Sequence, residues 1–123
     1  MKPPLRPGVV VLYDNTWDHS IKGRPHIVLM AEGDNVLLCP LTSTGQMRKE
    51  PPLPAGAGGL RKRSWVAATD CLHRKNNLVR VHQSIVQGSR VGQLTVGQFQ
   101  AVQLTAVAQV KRQKRFAMSF APR

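Results

Sequence analysis

Gly92-Gln93-Leu94-Thr95-Val96-Gly97-Gln98-Phe99 is the stretch on which the fold class turns. Thr95 and Gln98 have the spacing of a capping box, and Leu94 and Phe99 stand where a hydrophobic staple would sit, which predicts a helix beginning at Val96. Downstream, Val96, Phe99, Val102, Ala106 and Val110 recur at helical spacing. Val102, Leu104, Ala106 and Ala108 also alternate as a strand would, and the cap signals decide for the helix. Past it, Lys111-Arg112-Gln113-Lys114-Arg115 sets cations at a helix C-terminus, where they complement the dipole. Residues 111–123 are expected to be a loose basic tail, and residues 1–110 the single domain.

Upstream of that helix the chain reads as short strands. Gly8 precedes Val9-Val10-Val11-Leu12-Tyr13, a β-branched run of strand length. Asp14 to Gly23 interrupts it with turn formers and polar groups, which predicts an exposed loop. Pro25 biases Arg24 toward extended geometry, and His26-Ile27-Val28-Leu29-Met30 follows as a second strand. Glu32-Gly33-Asp34-Asn35 supplies a hairpin turn, and Val36 to Thr42 a third strand in which Pro40 predicts an edge or a bulge. Residues 44–63, rich in Gly, Pro and Ala, read as a mobile loop or at most a short strand. Strand signals return at Ser64–Ala68 and Leu78–His82. Short strands before one helix predict a mainly β protein of α+β class, a small β-barrel or an open sheet closed by the helix.

The chain has 123 residues, 41% of them hydrophobic, enough for one domain to bury a core without disulfides or metals. Its 18 Lys and Arg outnumber 6 Asp and Glu, for a net charge of +12. Residues 1–47 carry four bases and four acids, whereas from Arg48 onward fourteen bases face only Glu50 and Asp70. A one-sided field of this kind attracts polyanions, nucleic acid first, acidic proteins second and anionic membranes third.

Several classes fall away. The run Val9–Tyr13 is too short for a signal sequence or a membrane span, so a cytoplasmic location is the expectation. Cys39 and Cys71 lie in apolar stretches without C-x-x-C spacing and read as buried small residues in a reducing compartment. The spacing of Cys71 and His73 with Cys39 and His82 does not support a zinc site. Six scattered carboxylates make a poor two-metal nuclease, so no metal or other cofactor is expected.

A small basic protein can still cut RNA, because RNA carries its own nucleophile in the 2′-hydroxyl beside the scissile phosphate. The protein need only move protons and stabilise negative charge on phosphorus. Arg24 can supply a permanent forked cation. His19, on the preceding loop, can supply a group titrating near neutrality. Thr42 and Ser43, at a strand end, can supply hydroxyl donors.

These residues sit in blocks whose order and spacing resemble the MazF/PemK-type toxins, the ribonuclease components of toxin-antitoxin pairs. The blocks are Pro7-Gly8-Val9-Val10-Val11, Gly23-Arg24-Pro25-His26-Ile27-Val28-Leu29, Cys39-Pro40-Leu41-Thr42-Ser43, Ser64 to Asp70 and Val91-Gly92-Gln93-Leu94-Thr95. The resemblance runs from about residue 6 to about residue 110. It implies a dimeric SH3-like barrel that cleaves single-stranded RNA without metal, leaving a 2′,3′-cyclic phosphate and a 5′-hydroxyl. It also implies an acidic antitoxin that occupies the RNA groove. Carried over by position, Arg24 would act on the phosphate in the transition state, Thr42 would contact the scissile phosphate, and Asp70 would lie in the active site or substrate groove.

The sequence departs from that pattern at the loop Trp17-Asp18-His19-Ser20-Ile21-Lys22, where the family commonly has Gly-x-Glu, and at Ala68 and Cys71. His19 is also one residue closer to the Arg-Pro step than the histidine that some members of the family use. The expected catalytic set is Arg24, Thr42, His19 and Asp70. The expected RNA contacts are Trp17, Lys22, Ser43, Arg48, Lys49, Arg61, Lys62 and Arg63, the cations through counterion release and Trp17 through stacking. Trp65, inside a strand, reads as core. The alternative is a catalytically inactive module on the same scaffold that binds nucleic acid or protein. A ribosome-associated structural protein ranks last, since it leaves the Arg-Pro and Pro-x-Thr-Ser spacing without a role.

Overall fold

The apolar runs form strands with both faces covered, which is why they do not alternate with polar residues. In a computed structural model, residues 4–14, 23–45, 48–69 and 76–120 are described, with 113–120 described by backbone alone. The strands are β1 (Val9–Tyr13), β2 (Arg24–Glu32), β3 (Asn35–Thr42), β4 (Trp65–Val66), β5 (Val79–His82) and β6 (Arg90–Gln93). A short helix α1 (Gln83–Val86) links β5 toward β6, and α2 (Val96–Phe120) follows.

The strands form one antiparallel sheet in the order β4-β3-β2-β1-β6, with β5 also paired to β3. The class is therefore mainly β with a C-terminal helix, and the sheet stays open rather than closing as a barrel. One face packs Val10, Ile27, Cys39 and Leu41 against Leu94, Val102 and Ala106 at the helix. The other packs Val9, Val11, Val28, Val36 and Leu38 against Val81 and Val86. Successive strand residues thus enter different cores.

β3 holds two partners in succession along one edge. Residues 35–38 pair with β5, residues 41–42 pair with β4, and Pro40 falls in the gap between them. The Pro40 carbonyl accepts from Ala67 N–H at 2.9 Å. N–H and C=O of a strand residue point the same way, so the missing N–H of Pro40 falls where one partner has ended and the next begins. The bulge in this hairpin lies instead on β2, where the register shifts between Val28 and Met30.

The capping box at Thr95 is complete. Gln98 N–H donates to Thr95 Oγ1 at 3.1 Å and Thr95 N–H donates to Gln98 Oε1 at 3.0 Å. Leu94 is buried, and Phe99 packs against the same cluster. Val96, by contrast, is 75% exposed and lies off the core face. The helix passes residue 110 and continues to Phe120, so the segment expected to be a loose tail is helical over 111–120. The described residues 48–63 also differ from a loosely attached loop. Leu53 and Ser64 exchange two backbone hydrogen bonds, and Leu53, Ala57 and Leu60 are buried in the core.

Gln109 ties the helix to the edge strand β4. Its side-chain amide donates to Val66 O at 2.9 Å and its Oε1 accepts from Ala68 N–H at 2.8 Å, which gives an edge backbone the partners a further strand would provide. Glu50 accepts from Gln109 at 3.4 Å and pairs with Arg112. Burial pushes the Glu50 carboxyl up, but the Arg112 and Gln109 bonds outweigh it and hold it below the ordinary carboxylate range. Gln109→Ala leaves buried backbone groups of β4 without partners and is expected to lower unfolding free energy by about 2 kcal/mol, read by urea denaturation at neutral pH.

Candidate active site

Arg24 and Thr42 are eighteen positions apart in the chain and become neighbours through one hairpin. His26 stands opposite Pro40 and Ile27 opposite Cys39. Continuing that register two residues past His26 sets Arg24 across from Thr42, and Tyr13 is the partner of Arg24 on its other side. Thr42 in turn pairs with Trp65. Directly paired strand residues share a face, so Tyr13, Arg24, Thr42 and Trp65 form one row across the end of the sheet. Pro25 helps to set this end, because its ring holds the chain extended as it enters β2.

A cavity of about 610 Å³ opens beside this row. Arg24 and Thr42 line it with Ser43, Ser64, Arg61 and Lys62, and Leu12, Pro25, Leu41, Leu60 and Val91 make an apolar wall. The combination suits a ligand with apolar faces and a charged, oxygen-rich edge. Arg24 is only 4% exposed. Its guanidinium stays protonated at that depth and carries donors in a fixed fork. Thr42 is half-buried, and its Oγ1 accepts from Thr44 N–H at 3.2 Å. That bond occupies a lone pair and leaves the hydroxyl proton available to donate to an anionic oxygen.

The loop between β1 and β2 is tied at its ends, because Gly23 N–H donates to Asp14 Oδ1. Trp17, His19 and Lys22 on that loop, and Asp70 beyond β4, lie outside the described residues. Of the expected RNA contacts, Ser43, Arg61 and Lys62 line the cavity. Arg48, Lys49 and Arg63 do not. Arg48 is half-buried and donates to Thr69 O at 3.0 Å, Lys49 is exposed, and the exposed Arg63 lies over the Trp65 ring.

His26 is a residue that the sequence reading passed over as an ordinary strand position. It is fully buried, its Nδ1 lies 2.7 Å from Arg24 O, and its ring meets Tyr13 edge-on at 5.5 Å between centroids. A carbonyl can only accept, so Nδ1 carries the proton. Burial pushes this imidazole down to about 4, and the nearby Arg24 charge acts in the same direction against the raising effect of the hydrogen bond. His26 is therefore neutral at physiological pH. Its signal in the sequence is only its place two residues after Arg24, which sets both on one strand face. The walls formed by Leu12, Leu60, Ser64 and Val91 depend on contacts between distant segments and have no local signature.

Cys39 is a buried, inert thiol, pushed up to about 12 by burial. Among the described residues no group of three or more His, Cys, Asp or Glu is placed to hold a metal ion, and no helix is long and apolar enough to cross a membrane.

The sequence matches no protein-family model and no curated protein. Among solved structures, the chain is similar to the Mycobacterium tuberculosis toxin MazF-mt6, with 21% identity and a TM-score of 0.60 over 86% of this chain and 97% of that one. It is also similar to an endoribonuclease from Mycobacterial species, with 13% identity and a TM-score of 0.59 over 90% of this chain and 95% of that one. The resemblance carried by the sequence blocks thus extends to the fold: the chain folds as a MazF-type toxin does.

Proposed function

We propose that this chain is a toxin-type endoribonuclease that cleaves single-stranded RNA without a metal ion. The observation that carries the reading is the placement of a buried, permanently charged Arg24 across from Thr42 at a cavity with an apolar wall and a cationic rim. The solved structures of like fold, one named a toxin and one an endoribonuclease, support it.

In this reaction the 2′-oxygen attacks the adjacent phosphorus and its proton passes to a base. The bond from phosphorus to the 5′-oxygen breaks, and that oxygen takes up a proton. The products are a 2′,3′-cyclic phosphate and a 5′-hydroxyl. Arg24 stabilises the charge that builds on the non-bridging oxygens, and Thr42 Oγ1 donates to one of them. His26 is a poor base for this step, because it is fully buried and burial lowers its affinity for a proton. His19 is the proposed proton-transfer group, with Asp70 in the groove. Arg61, Lys62 and Ser43 hold the flanking backbone. A cytoplasmic homodimer controlled by an acidic antitoxin that covers the same cationic cavity completes the reading.

A second reading is a binding module that has lost catalysis. It is favoured by one observation: among the described residues lining the cavity, none has an ordinary pKa near neutrality. Incubating the purified protein with a long unstructured RNA in EDTA separates the two. Cleavage with cyclic phosphate ends is expected. Salt-sensitive binding with intact RNA would establish the binding module, and cleavage only after added Mg²⁺ would overturn the metal-free mechanism.

A further inference from the structure

We propose that Arg63 and Trp65 form a stacking platform for an unpaired nucleobase next to the phosphate held by Arg24 and Thr42. This rests on the endoribonuclease reading and assigns that site a base-binding subsite.

Trp65 stands in a two-residue edge strand and is only half-buried, although a tryptophan within a strand is expected in the core. Alternation explains its position. Ser64 lines the cavity and Val66 enters the core, while Trp65, paired directly with Thr42, stands in the row of Thr42 and Arg24 without lining the cavity itself. One strand spacing, about 4.8 Å, separates the Trp65 and Thr42 backbones, and about twice that separates Trp65 from Arg24. An unpaired base attached to a phosphate at Arg24 and Thr42 can reach this ring within one nucleotide.

Backbone packs tightly against the ring. A Cβ at Gly45 would lie 2.3 Å from Trp65 Cε2 and Cζ2, so the turn after Thr42 packs onto the indole and only glycine permits the approach. The platform and the Thr42 turn are thereby one mechanical unit. The Arg63 guanidinium carbon lies 5.1 Å from the ring centroid, and Arg63 is exposed. A guanidinium held on an indole is attracted by the ring quadrupole and loses less freedom on meeting a ligand. Its outer surface is planar and cationic, which suits a base on one side and the neighbouring phosphates at its edge. Arg61 and Lys62, two and one residues earlier, line the cavity and leave Arg63 as the member of the run turned to this face.

The experiment compares wild type with Arg63→Gln, Arg63→Lys and Trp65→Leu by fluorescence anisotropy on a labelled single-stranded 2′-O-methyl RNA, which lacks the nucleophile. KM and kcat on the long unstructured RNA are measured in parallel. Stacking predicts that Arg63→Gln and Arg63→Lys both weaken binding and raise KM about tenfold, with kcat within about twofold. Lys keeps the charge and loses the plane. Full affinity in Arg63→Lys, or unchanged affinity in Arg63→Gln, would overturn the platform; thermal melting checks that Trp65→Leu remains folded. Inorganic polyphosphate should compete equally with wild type and Arg63→Lys, which carry the same charge, and RNA affinity lost in Arg63→Gln but kept in Arg63→Lys would instead indicate a pure phosphate site. If the wild type binds RNA but leaves it intact while the Arg63 variants lose affinity, the catalytic reading fails and the platform stands.

Discussion

Arg24→Ala is expected to slow RNA cleavage by a factor of about 10²–10³, with KM changed far less. The large effect follows from where the guanidinium sits. At 4% exposure it is held at the β2 entrance by strand pairing to Tyr13 on one side and by the β2–β3 hairpin on the other. Charge that develops on phosphate oxygens there meets a fixed donor fork in a medium where electrostatic interactions exceed those in water. Arg61 and Lys62, both exposed, attract the strand before and after the chemical step alike, so their loss should raise KM more than it lowers kcat. Arg24→Lys keeps the charge but offers a single ammonium in place of a two-pronged fork, and should recover only a small part of the rate. Single-turnover rates on a short RNA with one cleavage site measure this directly, with thermal melting to show that the variants are folded. Arg24→Ala cleaving at the wild-type rate would remove the catalytic role.

What could be read from the sequence was what short-range chemistry encodes. Thr95 and Gln98 lie three residues apart, and their two hydrogen bonds depend on nothing distant, so the helix start was legible to the residue. Arg24 and Thr42 were legible as candidates because one directly precedes Pro25 and the other follows Pro40 by two residues in a recognisable block, but their juxtaposition needed the hairpin register. The strand β6 was not legible. Arg90-Val91-Gly92-Gln93 has one β-branched residue, and it is a strand because β1 offers an unpaired edge and Gly92 lets the Gly58 carbonyl come within 2.4 Å of where a Cβ would be. Gln109 was hidden for a similar reason. A glutamine in a helix reads as solvent-facing, and only the orphan edge of β4, some forty residues earlier, makes burial favourable. The end of α2 was missed in the other direction, since a cationic run that complements a helix dipole can equally continue the helix.

His26 should make the protein lose about 3 kcal/mol of stability between pH 6.5 and pH 4. In the unfolded chain this histidine titrates at its ordinary value of 6.5, whereas in the folded chain burial holds it down to about 4. Below 6.5 the unfolded state binds a proton that the native state refuses, so stability falls as pH drops, at up to about 1.4 kcal/mol per pH unit. The contribution is whole above 6.5 and is gone once pH has passed below 4. Glu50, also held below its ordinary value, begins to add a loss of its own sign only near and below 4.5. The difference between wild type and His26→Phe therefore isolates the histidine. At pH 8 the Phe variant should be less stable by about 1–2 kcal/mol, because the Arg24 carbonyl loses its Nδ1–H donor. As pH falls toward 4 the variant should lose about 3 kcal/mol less than wild type, so that the two stability curves cross. Urea denaturation at fixed protein concentration from pH 8 to 4 measures both. Parallel curves would show that the His26 pKa in the folded protein is ordinary. A crossing would establish that the imidazole beside Arg24 stays neutral near physiological pH, leaving the positive charge at that end of the sheet to the guanidinium.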